Sequence, residues 1–169
     1  DAGFSFFNDI NINAFAARTQ TPGIDGDDLS YRGQFNYAGD RYGLVAERLV
    51  IEPGFTPEVG FVRRPNMRKW TGTARFSPRP RQTRVVRKIL TEATGNYIEN
   101  NAGVLESRQW DQTFGLDFSN GDTVRLQATE SYEFLARPFR IDPAATIPVG
   151  GYDFNNLALR YTLGAQRRF

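Results

Sequence analysis

The 169-residue chain contains no cysteine and no histidine. Those two absences remove disulfides, thiolate nucleophiles, the usual zinc sites and any Ser-His-Asp arrangement. It also has no apolar run near the roughly 18 residues that a membrane helix needs, which excludes a helical span. Net charge is scarce as well: 21 basic against 19 acidic side chains leave +2, which makes no case for a nucleic-acid partner. An initiator methionine and a signal peptide are lacking, and the pattern is already under way at Asp1, so the expectation is a mature or excised segment. The length suits one domain, and nothing divides residues 1–169 into two.

What the chain does have is aromatic residues and alternation. Aromatics make up 14% of it, mostly Phe and Tyr, and such residues favour pleated sheets. Between Leu29 and Tyr37, the residues Leu29, Tyr31, Gly33, Phe35 and Tyr37 fall on one face, while Ser30, Arg32, Gln34 and Asn36 fall on the other. The same split sets Val124, Leu126, Ala128, Tyr132 and Phe134 against Arg125, Gln127, Thr129, Ser131 and Glu133. Segments of roughly ten residues with this period, separated by turn residues, are the signature of a barrel strand with lipid outside and water inside. A mean hydropathy of −0.50 does not count against it, because only every second residue of such a strand meets lipid.

The alternation predicts strands near Ile10 to Arg18, Leu29 to Tyr37, Arg41 to Ile51, Arg68 to Phe76, Arg84 to Thr94, Val104 to Phe118, Thr123 to Leu135 and Tyr152 to Ala165, with a short addition at Gly3 to Phe7. Short and long connections take turns between them. Gly39-Asp40, Ser77 to Gln82 and Ser119 to Asp122 are tight, whereas Thr19 to Asp28, Glu52 to Asn66 and Ala136 to Gly151 are long, with Asn96 to Gly103 of medium length. Outer-membrane barrels alternate short periplasmic turns with longer extracellular loops, so the long set is expected outside. Trp70 and Phe76 bracket Gly72 and Ala74 on one face, and Trp110, Phe114, Leu116 and Phe118 share another, as interfacial aromatic girdles do. A β-sandwich or lipocalin-like core accounts for those aromatics on pattern alone.

The most distinctive stretch is Phe55-Thr56-Pro57-Glu58-Val59-Gly60-Phe61-Val62-Arg63-Arg64, a structured loop by its Pro53, Pro57 and Pro65 and its Gly54 and Gly60. It resembles the FNPEVGFVRR segment of a family of large bacterial outer-membrane proteins of unknown function, which join an N-terminal family 9-type carbohydrate-binding-like domain to a C-terminal β-barrel. Gly39-Asp40, Asn120-Gly121, Pro138 to Ile141, Ile147 to Tyr152 and Arg167-Arg168-Phe169 extend the likeness in order along the chain. The resemblance implies an all-β fold in the bacterial outer membrane, without the carbohydrate-binding-like domain and with a barrel that continues past Phe169. It supplies no catalytic residue, because no activity is established for the family.

Read from the residues, Glu58, Arg63 and Arg64 form either a site for an anionic or sugar ligand, gripped by guanidinium forks, or ion pairs that anchor the loop to the barrel wall. Arg32, Lys69, Arg75, Arg125 and Arg160 are expected to line a lumen with Asp111, Asp117 and Glu133. Arg79, Arg81, Arg84, Arg87 and Lys88 make a basic cluster beginning at a short turn. Among Asp111, Asp117, Glu130 and Glu133, no pair is singled out as a glycosidase site, and Glu130 falls on the apolar face.

The fold expected is therefore an all-β, antiparallel up-and-down transmembrane β-barrel, or an arc of about eight strands from a larger outer-membrane barrel. Many large charged residues point inward, which favours the arc, because an eight-stranded closure leaves room for side chains only. Three functions compete. The leading one is a membrane-embedded barrel segment with a structural, channel or transport role, linked to glycan handling and in contact with outer-membrane lipid. The second is a binding or assembly module whose long loops meet a glycan or another envelope protein, and the third a soluble β-barrel enzyme or lipid-binding protein. No cofactor or metal is expected, and the missing His, Cys and carboxylate pair weigh against an enzyme.

Overall fold

The computed structural model describes residues 1–23, 26–57, 60, 62 and 64–165. The alternating segments become β1 (Ala2–Phe6), β2 (Ile10–Arg18), β3 (Leu29–Ala38), β4 (Tyr42–Ile51), β5 (Met67–Phe76), β6 (Val86–Glu99), β7 (Leu105–Phe118) and β8 (Thr123–Leu135), followed by β9 (Phe139–Asp142), β10 (Ala145–Ile147) and β11 (Gly150–Thr162). Nine of them form one antiparallel sheet in the order β1-β2-β3-β4-β5-β6-β7-β8-β11, and β9 and β10 pair separately as a small hairpin. No helix occurs among the described residues. Each strand of the large sheet lies beside its sequence neighbour, apart from the step from β8 to β11 over the hairpin. The sheet is up-and-down and open, with β1 and β11 as its edges.

Register fixes which side chains share a face, because a slip of one residue exchanges the faces. Following paired residues across seven strands gives Phe35, Ala46, Gly72, Gly95, Trp110, Glu130 and Asn155 on one face. The adjacent row, Gln34, Glu47, Thr71, Asn96, Gln109, Ser131 and Phe154, lies on the other. Tyr31, Trp70, Phe114, Leu126, Leu159 and Tyr161 belong to the first, apolar face, and Arg32, Asp111, Arg125 and Arg160 to the second, polar one. With the exception of Phe154, every exposed aromatic or large aliphatic side chain within the nine strands lies on the apolar face.

Neither face of this sheet is covered by a second layer. Val50 and Ile51 are the only buried large apolar side chains among the described residues. A folded water-soluble protein of 19.1 kDa exposes about 8,400 Å² by the usual size scaling, whereas this chain exposes 12160 Å². The excess is surface that a sandwich or small closed barrel would bury.

The ninth strand of the sheet is the short addition expected at Gly3 to Phe7, since Ala2–Phe6 pairs along its whole length with β2. Two expectations need correcting. The strand expected to end at Thr94 runs on to Glu99: Gly95 and Asn96 look like turn residues, yet Gly95 lies beneath the Trp110 ring and Asn96 accepts a hydrogen bond from Thr71. The link is thereby shortened to residues 100–104. The connection from Ala136 to Gly151 contains the β9–β10 hairpin, whose strands of four and three residues are too short to carry a period.

Candidate functional site

All eight residues expected to line a lumen, Arg32, Lys69, Arg75, Asp111, Asp117, Arg125, Glu133 and Arg160, lie on the polar face. They form separate clusters rather than one ladder. Arg32 donates through Nε (2.8 Å) and Nη2 (2.5 Å) to one oxygen of Glu47, which also accepts from Gln34 at 3.3 Å. Glu47 was absent from the sequence candidates, although its parity opposite to Leu44 and Ala46 already put it on this face. Arg125 donates to Asp117 at 2.5 Å and to the carbonyls of Leu116 and Val124. Asp111 accepts from Thr129 and Gln109, both at 2.7 Å, and has no cationic partner among the described residues. Between these, Thr71 meets Asn96 and Thr73 meets Thr94, each at 3.0 Å. Lys69, Glu133 and Arg160 have no ion-pair partner among the described residues.

Glycine lets the long cations lie flat. A Cβ at Gly115 would come within 2.8 Å of the Arg125 side chain, and one at Gly43 within 2.9 Å of the Arg75 guanidinium. Each of these glycines is paired directly with its arginine across the strand boundary. Arg75 thereby reaches the carbonyl of Gly39 at 2.6 Å and the hydroxyl of Ser77, closing the tight turn that precedes β4.

At the long-loop end, the connection from β4 to β5 is tied down at both sides. Glu52 accepts from the Leu29 amide at 2.9 Å, Gly54 donates to the Asp27 carbonyl at 2.7 Å, and Thr56 donates to the Thr19 hydroxyl at 3.1 Å. Arg64 pairs with Glu106 of β7 at 2.5 Å. Glu58 and Arg63 lie outside the described residues. Under this connection is a pocket of about 700 Å³, with Phe15, Phe55 and Val62 as apolar walls and Arg32, Glu47 and Lys69 as polar groups. Aromatic walls beside guanidinium, ammonium and carboxylate groups are the donor and acceptor set that a sugar or small anion uses.

At the opposite end lie the short turns. Asp122 is 1% exposed, accepts from the Gly164 amide, the Asn120 side chain and the Tyr161 hydroxyl, and so locks the Asn120-Gly121 turn to the end of β11. Arg79 pairs with Asp40 of the neighbouring turn and, chiefly through its hydrogen bond, holds that carboxyl below the ordinary 3.8. Arg81, Arg84 and Arg87, also of the basic cluster, have no ion-pair partner among the described residues.

No group of three or more acidic side chains is close enough to hold a metal ion among the described residues, and no helix there is long and apolar enough to cross a membrane. Geometry defines the chain as an antiparallel sheet with one polar face and one face rich in exposed apolar side chains. Compared with known proteins, it matches no family model, no curated protein and no solved structure.

Proposed function

We propose that this chain is an arc of a bacterial outer-membrane β-barrel, with its apolar face against lipid and its polar face toward a water-filled lumen, in a structural, channel or transport role. The observation that carries the reading is the segregation of faces without any covering layer. A row such as Phe114, Leu126 and Leu159 would face water in a soluble protein, while the opposite face carries the polar clusters of Arg32 with Glu47 and Arg125 with Asp117.

Tilt gives independent support. The row through Tyr37 of β3 passes Leu44, Ala74, Ala93, Gln112 and Ala128 and arrives at Leu157 of β11. On β3 the apolar stretch, Leu29 to Tyr37, ends at that row; on β11 the stretch Leu157 to Tyr161 begins there. The band therefore crosses the strands obliquely, as it must where strands tilt by roughly 35–45° from the membrane normal.

Nine alternating strands leave β1 and β11 running in the same direction. An antiparallel closure thus needs an odd number of further strands, which also satisfies the 13-residue edge of β11 that five-residue β1 cannot cover. The pocket beneath the β4–β5 connection favours a second reading within the same barrel, a loop-built site for a glycan or anion. Fractionation of cells expressing the chain tests the main proposal. It should stay with the membrane pellet through high salt and alkaline carbonate and leave only with detergent; release by salt or carbonate alone overturns it.

A further inference from the structure

The apolar face is not uniform. A trough of about 610 Å³ crosses it, floored by Ala14, Gly33, Ala46 and Gly72 and walled by Phe35, Trp70, Tyr97 and Trp110. Two of its floor residues are glycines in strand interiors, where glycine weakens a sheet unless something approaches closely. Elsewhere in the sheet that something belongs to the chain: Trp110 covers Gly95, Arg125 covers Gly115 and Arg75 covers Gly43. A Cβ at Gly33 or Gly72 would meet nothing within 4 Å, and neither residue has a positive φ that only glycine tolerates. Gly33 is paired with Arg48, yet the Arg48 side chain leaves it open and lies over the Trp70 ring, 5.4 Å from its centroid.

Arg48 is the second half of the argument. Three other arginines of the apolar face have acidic partners, Arg18 with Asp28, Arg68 with Glu99 and Arg108 with Asp153. Arg48 has no acidic partner among the described residues and stands exposed at the rim of the trough, toward the long-loop end. An uncompensated guanidinium beside an open apolar trough on a lipid-facing surface matches a lipid whose headgroup is negative and whose chain is apolar.

We infer that the trough seats one acyl chain of a lipid with an anionic, phosphate-bearing headgroup, the headgroup being held by Arg48 in the leaflet on the long-loop side. The inference rests on the membrane reading above and adds a specific lipid site to it. Trp70 and Trp110 are the only tryptophans of the chain and both line the trough, so their fluorescence reports its occupancy. The test is quenching of the detergent-solubilised full chain by bromine-labelled phosphatidylglycerol and by bromine-labelled phosphatidylcholine with the same acyl chains.

Saturable quenching by phosphatidylglycerol at about fivefold lower concentration is expected, the effect of one lipid-facing cation. Arg48→Gln should remove that preference while leaving the far-ultraviolet circular dichroism unchanged, and Gly72→Leu, which fills open space, should reduce saturable quenching by both lipids. Equal quenching by the two lipids, unaltered by Arg48→Gln, overturns the site while leaving a lipid-facing sheet. Absence of quenching by either lipid overturns the membrane reading as well.

Discussion

Substituting Leu126 by Arg separates a lipid-facing sheet from a water-facing one by the size of the effect. Leu126 is 40% exposed on the apolar face of β8, between Phe114 and Leu159 of its neighbouring strands. In water, an exposed position of this kind tolerates Arg to within about 0.5 kcal/mol. In the middle of a bilayer the same change costs about 2–4 kcal/mol, because the guanidinium must be dehydrated or drag water with it. Gln127, the next residue, is exposed on the polar face opposite Thr113 and Ala158, so Gln127→Arg is the internal control. Reversible urea unfolding in phospholipid vesicles, followed by Trp70 and Trp110 fluorescence, should show Leu126→Arg losing about 2 kcal/mol or more while Gln127→Arg stays within about 0.5 kcal/mol of the parent. Equal losses for the two variants refute the assignment of faces to lipid and water.

Other consequences follow from individual contacts. Gly95→Val should destabilise by about 1–3 kcal/mol in the same assay, since its Cβ would clash with the Trp110 ring; a neutral result would mean that the ring is free to leave. Glu106→Gln removes the carboxylate that holds Arg64, and hydrogen exchange should quicken in the β4–β5 connection while β7 is unaffected. Asp40 should titrate below 3.8 by carboxyl NMR, and Arg79→Gln should return it toward that value. Because its folded value is the lower one, the Asp40–Arg79 contact adds stability above the unfolded value and loses it as pH falls through the folded one.

Alternation alone located β2 and β8 to the residue and set the faces of Leu29 to Tyr37, because a period of two needs no knowledge of neighbours. Partners were harder to read. The pairing of Arg125 with Asp117 was foreseeable, as both lie on one face of adjoining strands, but Arg32 finds Glu47 through a register that sequence does not state. Asp111 satisfies itself with hydroxyl and amide groups, a choice that depends on Thr129 lying directly opposite. Composition misled at Gly95 and Asn96, where residues that usually mark turns are held in a strand by a ring on one face and a threonine on the other. The trough was illegible in one dimension. Gly33, Ala46 and Gly72 are far apart along the chain, and only the pairing of β3 with β4 and of β4 with β5 sets them side by side.

The central claim is that one face of this sheet meets lipid and the other water. Because the chain has no cysteine, single cysteines at positions 124 to 128 each carry one spin label at a unique site. In phospholipid vesicles, collision with oxygen should peak at positions 124, 126 and 128, and collision with a polar nickel chelate at 125 and 127, alternating along the strand. Accessibility to the nickel chelate that is uniform along β8, or greatest at 124, 126 and 128, would contradict the account.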